Sequence, residues 1–239
     1  TEPDGYTLMI VNDNHAINAH VYKNLSYDSL NDFSPIGFIG QVPMILAVNP
    51  AVQARNVSQL IELARKTPND VTYASIGAGS ASHLAGEMLA EVGQAKLLHV
   101  PYRGGAPALT DLLAGHIKAM FLSPVIGLQN IQENRLTALA VTSEQRLPQL
   151  PDVPTMKEAG YPLEAVYWFG LVAPAKTPQP ILSKLEKALG TVLAMPEVQE
   201  RLLKLGVVVM PKDSQDFWRY MKAEIERWGP IVQNANVRP

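Results

Sequence analysis

The chain has 239 residues, 47% of them hydrophobic and 18% charged, enough for one large buried core or two smaller ones. A net charge of −2 offers no basic face for nucleic acid, and no apolar run reaches the roughly 18 residues of a membrane-spanning helix. With no cysteine, disulfides, thiol catalysis and thiolate metal sites are excluded.

From the amino terminus, Pro3-Asp4-Gly5 is a turn signal that runs straight into a strand-like segment at 6–11. Neither the basic start nor the apolar stretch of a secretory leader precedes it, so the chain reads as though it begins in mid-fold. The polar cluster Asn12-Asp13-Asn14-His15 ends that strand, and an apolar run follows at 42–50, closing on Pro50. Strands are then expected at 71–75, 97–102, 117–122 and 136–142. Helical patterns fall between them at 82–92, 106–114 and 126–132; Leu84, Ala85, Met88, Leu89 and Val92 share one face of the first. This alternation predicts an α/β fold of parallel βαβ units, with ligands received at the carboxyl ends of the strands. The proline-rich stretch 146–155 reads as an ordered surface loop. A second apolar run at 166–174 also ends in proline, and amphipathic helices follow at 180–194 and 214–234. Two matched apolar runs flanking the α/β units suggest two lobes joined by two crossovers; ordinary core strands of one domain would give the same pattern.

The stretch S-I-G-A-G-S-A-S-H-L at 75–84 places two glycines, serines and a histidine where a strand meets a helix. A dinucleotide fingerprint fails there, because Ser82 takes the third glycine position and no acid ends the next strand. Gly-Lys-Ser and Gly-Lys-Thr phosphate loops are absent. A serine hydrolase using Ser80 or Ser82 lacks the Gly-x-Ser-x-Gly elbow and a third group to orient His83. The five histidines have no metal-ligand spacing. Anion binding by backbone survives these tests, since the first N–H groups of a helix have no internal partner and carry the positive dipole end. The stretch H-V-P-Y-R-G-G-A-P at 99–107 repeats the arrangement one unit later, with Arg103 a candidate carboxylate partner. Ser82 serves equally as an N-cap, whereas Trp168 and Phe169 read as core residues ahead of ligand stackers.

P-D-G-Y-T-L, H-A-I-N, the 75–84 loop, the 99–107 loop, A-L-A-V-T-S, R-L-P-Q-L-P-D-V-P-T, W-F-G-L-V-A-P and a final E-R-W-G occur here in order. Together they resemble the solute-binding receptors of tripartite tricarboxylate transporters, the Bug-type periplasmic proteins, over essentially the whole chain. The resemblance implies a two-lobed, type II-like periplasmic-binding-protein fold with two crossover strands. One lobe would comprise residues 1–45 and 171–239, the other 46–170. It implies a periplasmic monomer without catalytic activity or cofactor, which captures a small organic carboxylate and delivers it to membrane permease subunits; a signalling partner in place of the permease is the alternative. The implied site comprises Asn12, Asn14, His15 and Phe169 from the hinge and first lobe. Gly77, Gly79, Ser80, Ser82, His83, Tyr102, Arg103, Gly104, Ala106 and Ser123 come from the second. Family members carry about seventy further residues ahead of P-D-G-Y-T-L, so the first lobe is expected to be incomplete at its amino terminus. Many also carry an aspartate after the strand ending at Phe121, where this chain has Leu122-Ser123-Pro124; its loss favours a plain carboxylate over an amino acid.

Overall fold

The computed structural model describes residues 2–235 and 237. In chain order the elements begin with β1 (Met9–Asn12), α1 (Asp13–Val21), β2 (Phe33–Pro43), β3 (Ile45–Val48) and α2 (Val57–Lys66). The central part holds β4 (Thr72–Ser75), α3 (Ala81–Val92), β5 (Leu98–Pro101), α4 (Gly105–Ala114), β6 (Ala119–Leu122), α5 (Pro124–Gln132) and β7 (Thr137–Val141). The chain finishes with β8 (Val166–Pro174), α6 (Gln179–Leu193), α7 (Pro196–Lys204), β9 (Val208–Lys212) and α8 (Ser214–Asn234). Two compact units result, one from Thr1–Val42 with Tyr167–Pro239 and the other from Pro43–Val166.

The discontinuous unit is built on a four-stranded sheet of order β1-β8-β2-β9, with β1 antiparallel to β8 and β2 antiparallel to β9. Its core is aromatic. Trp168, on the face of β8 opposite Phe169 as strand alternation requires, packs edge-on to Phe217 of α8 with centroids 5.9 Å apart and lies 6.3 Å from Phe38 of β2. Gly170 lets Phe217 approach so closely that a Cβ there would lie 2.0 Å from the ring.

The continuous unit is a five-stranded sheet of order β5-β4-β6-β3-β7. β4 is parallel to both β5 and β6, as the βαβ pattern predicts. The sheet is not wholly parallel, however. β3 runs antiparallel to both β6 and β7, because it enters without a crossover helix ahead of it. The apolar run at 42–50 is accordingly two strands: β2 ends at Pro43 in one sheet and β3 begins at Ile45 in the other. The buried Thr142 ties the two ends of this unit together. Its Oγ1 accepts the Met44 N–H at 2.9 Å and donates to the Ala165 carbonyl at 2.5 Å. The stretch 146–155 is a loop, but Leu147 and Leu150 are drawn into the core cluster around Ile45, Met120 and Leu122. α1, α2, α7 and β9 have no counterpart in the sequence expectation; α1 is polar and nine residues long, too short for its periodicity to stand out.

Candidate functional site

β5, β4 and β6 lie side by side and parallel, so their carboxyl ends deliver three strand-to-helix turns to one edge of the sheet. The amino termini of α3, α4 and α5 follow directly. Gly104 caps α4 at φ +113°, a backbone that favours glycine, and no side chain bonds the helix's first N–H groups. Ser123 caps α5 but its hydroxyl makes no capping bond, and Ala106 stands exposed in the first turn of α4. Two adjacent helix termini therefore present free donors on this edge.

The third turn, 76–80, is braced from within. Helix α3 starts one residue earlier than the sequence suggests, so Ser80 and not Ser82 is its N-cap: Ser80 Oγ accepts the His83 N–H at 3.3 Å and donates to the Gly77 carbonyl at 2.7 Å. Ser82 is fully buried; its hydroxyl accepts the Ile76 N–H at 3.2 Å and shares a hydrogen bond with Ser80 at 3.0 Å. His83 Nδ1 accepts the Gly79 N–H at 3.1 Å, which fixes the proton of the neutral ring on Nε2. Gly77, at φ +146°, donates its N–H to Ser75 Oγ. The N–H groups of Ile76, Gly77, Gly79 and Ser80 are thus engaged inside the turn, and Ala78 at its tip is exposed while the first turn of α3 is buried.

Behind the turn lies a stack that sequence reasoning did not find. His83 and His99 rings lie face to face with centroids 3.7 Å apart, and Tyr73 sits 5.1 Å from His99. Tyr73 donates to Glu87 at 2.5 Å, and His99 Nε2 reaches Ser75 Oγ at 2.7 Å. Burial lowers the pKa of His83 against the pull of Glu87; burial and the His83 charge lower that of His99 to about 4. The available signal was alternation: Tyr73 pairs with His99 across β4 and β5, and Ser75 falls on the same face two residues on. A Cβ at Gly86 of α3 would lie 2.0 Å from the Tyr73 ring. Gly86→Ala is expected to cost about 1–3 kcal/mol by overpacking, in spite of alanine's better helix propensity, and denaturant melts would measure it.

The other second-lobe residues are less uniform. The Tyr102 hydroxyl donates to Asp111 at 2.6 Å, and burial together with that carboxylate pushes its pKa up to about 12. Arg103 is exposed beside the uncapped Gly104, and among the described residues no carboxylate pairs with it.

In the discontinuous unit, Asn12 ends β1 directly opposite Phe169 and caps α1 by accepting the Asn14 N–H at 3.0 Å. Asn12, Asn14 and Phe169 are half-buried. His15 is buried: Nε2 meets the Ser29 carbonyl at 2.7 Å, and the ring stacks on Tyr27 and meets Phe33 edge-on. Burial lowers its pKa, as expected of a core histidine.

Hydrolytic pairing finds no geometry here, since Ser80 Oγ donates to a carbonyl and both nitrogens of His83 face other partners. Among the described residues no group of three metal-ligating side chains converges and no helix is long and apolar enough to cross a membrane.

The model of the tripartite tricarboxylate transporter family receptor matches residues 1–237. A Pseudomonas sp. (strain P51) protein described from the tcbD-tcbE intergenic region is 37% identical over 231 residues, 96% of this chain and 69% of its own. Among solved structures, R. palustris Rpa4515 with adipate superimposes with a TM-score of 0.89 at 32% identity, over 100% of this chain and 81% of that one. The periplasmic binding protein BugD does so with a TM-score of 0.86 at 35% identity, over 100% and 81%.

Proposed function

The chain belongs to the tripartite tricarboxylate transporter receptor family, the periplasmic, non-catalytic solute-binding proteins of type II architecture, and from that membership we propose how it holds its ligand. The ligand is a small organic carboxylate, received on the strand-end edge formed by the turns after β4, β5 and β6 and passed to the permease subunits of the transporter. The observation that carries this reading is the pair of uncapped amino termini at Gly104 and Ser123, set beside the internally braced 76–80 turn. Oriented N–H dipoles recognise a carboxylate without a full counter-charge, and the exposed Arg103 adds one. Ser80, Ser82 and His83 act on the ligand chiefly by shaping the turn. The uncharged Leu122-Ser123-Pro124 sequence provides no partner for an ammonium group, so a plain dicarboxylate is preferred over an amino acid.

A thermal-shift and calorimetric screen of adipate, other aliphatic dicarboxylates, tricarboxylates, aromatic carboxylates and amino acids tests this. Ligand at one hundred times its Kd is expected to add about 2.7 kcal/mol of stability. Glutamate or aspartate binding more tightly than the deaminated diacid would overturn the preference, and indifference to every carboxylate would overturn the reading.

A further inference from the structure

We propose that His99 is a positioning residue for the carboxylate-receiving turn: its ring lies flat on His83 and keeps Nδ1 of His83 an unprotonated acceptor for the Gly79 N–H, so that the turn holds its shape at neutral pH and opens in acid. The inference rests on the ligand site proposed above, and extends it to a residue that contacts no ligand.

The geometry supplies each link. The Gly79 N–H can bond His83 only while Nδ1 carries a lone pair; a proton there would set donor against donor at 3.1 Å. Only 6% of His83 is exposed, and one face of its ring is covered by His99 at 3.7 Å. His99 is itself pinned, with Nε2 at 2.7 Å from Ser75 Oγ, and Ser75 bonds both the N–H and the carbonyl of Gly77. One arrangement satisfies every group: His99 Nε2–H donates to Ser75 Oγ, which accepts from the Gly77 N–H and donates to the Gly77 carbonyl. The turn is therefore held at Gly77 through His99 and at Gly79 through His83.

The titratable groups facing this pair are Tyr73 from β4 and Glu87 from α3; β6 adds none. Glu87 Oε1, 3.7 Å from His83 Nε2, favours protonation, but it is shared with the Tyr73 hydroxyl, and burial outweighs it. A second proton on the stack would bring two cations into ring contact, which agrees with the value of about 4 at His99. Protonation therefore begins at His83, below the ordinary histidine value, and its first consequence is loss of the Gly79 bond.

The test follows the Gly79 amide by NMR hydrogen exchange from pH 7.5 to 4.5, with adipate affinity measured by calorimetry on the same samples. In the wild type, protection of Gly79 is expected to fall as the His83 ring titrates. His99→Ala uncovers that ring and is expected to move the midpoint upward towards 6.5, whereas His99→Phe, a flat ring without a titrating nitrogen, keeps it near the wild-type position. At pH 6 the Ala variant should bind adipate about threefold to tenfold more weakly than the Phe variant, a comparison in which titration of adipate itself cancels. A merely structural role would lower stability at every pH and leave the midpoint in place. If His99→Ala does not fold, His99→Gln replaces it. An unmoved midpoint, or Gly79 protection that ignores His83 protonation, overturns the inference. Unlatching of Gly79 in a protein that ignores adipate and every other carboxylate upholds the latch and overturns the ligand reading instead.

Discussion

Glu224→Ala is expected to cost about 3–5 kcal/mol, the loss associated with stripping one partner from a buried charged network. Glu224, on α8, is 6% exposed and is the acceptor at the centre of the aromatic core. Its Oε2 receives the indole N–H groups of Trp168 and Trp228, each at 3.1 Å, and Arg227 bonds both carboxylate oxygens. Truncation would leave two indole donors without an acceptor in an apolar core and the Arg227 guanidinium, which lies over the Trp228 ring, without its carboxylate. Glu224→Gln separates the two losses. Its carbonyl can still accept from the indoles while its amide repels Arg227, so about 1–2 kcal/mol is expected. Denaturant titration of both variants measures the difference; equal costs would mean that Arg227, not the indoles, carries the effect.

Asp13→Asn is expected to stabilise the protein above pH 7, by about 2–4 kcal/mol. Asp13 is 3% exposed at the first position of α1, and burial, reinforced by the charge of Glu224, raises its pKa to about 7 against the opposing bond from its own backbone N–H. The folded state therefore keeps the proton up to about pH 7, while the unfolded chain releases it near 3.8. Between those values the unfolded state binds fewer protons, so stability falls as pH rises, and above 7 the full cost remains. Asparagine removes that slope without changing the shape. His83 and His99 work in the opposite sense: their folded pKa values are lowered, so the stability they allow is present at neutral pH and lost as pH falls from 6.5 towards about 4. In the wild type the two effects oppose each other, and Asp13→Asn should expose the histidine limb as a slope rising with pH. Melts from pH 4.5 to 8.5 would show it, and a variant less stable than wild type at pH 8 would refute the assignment to Asp13.

Motifs and periodicity carried the α/β class, the helices at α3 to α6 and α8, and the strand-end turns at 75–84 and 99–107. These features depend on residues close in sequence: glycine where φ turns positive, serine at a cap, apolar spacing on one helix face. Two kinds of information lay beyond that reach. The antiparallel entry of β3 depends on how a chain returns to its sheet, and an apolar tetrapeptide such as Ile-Leu-Ala-Val has no direction. The His83–His99 stack depends on the register of β4 against β5, since the two rings meet only because Tyr73 pairs with His99. The role of a buried histidine was likewise unreadable. His15 and His83 look alike as polar residues near strand ends, yet one is locked among Ser29, Tyr27 and Phe33 while the other braces the 76–80 turn.

The clasp at Thr142 bears on the order in which the molecule assembles. β2 and β8 are neighbours in their sheet although more than a hundred residues separate them, and in an open chain closing such a loop costs roughly 4 kcal/mol of entropy. The segment between them is one continuous unit whose two ends, Met44 and Ala165, are drawn to the same hydroxyl. Once that unit has formed, β2 and β8 emerge already side by side, and β1 and β9 need only add to them. The continuous unit is thus expected to form first and the flanking strands to pair afterwards, with the apolar β1 residues Met9 and Ile10 waiting for the partner strand, at Val172 and Leu171, that completes their pairing.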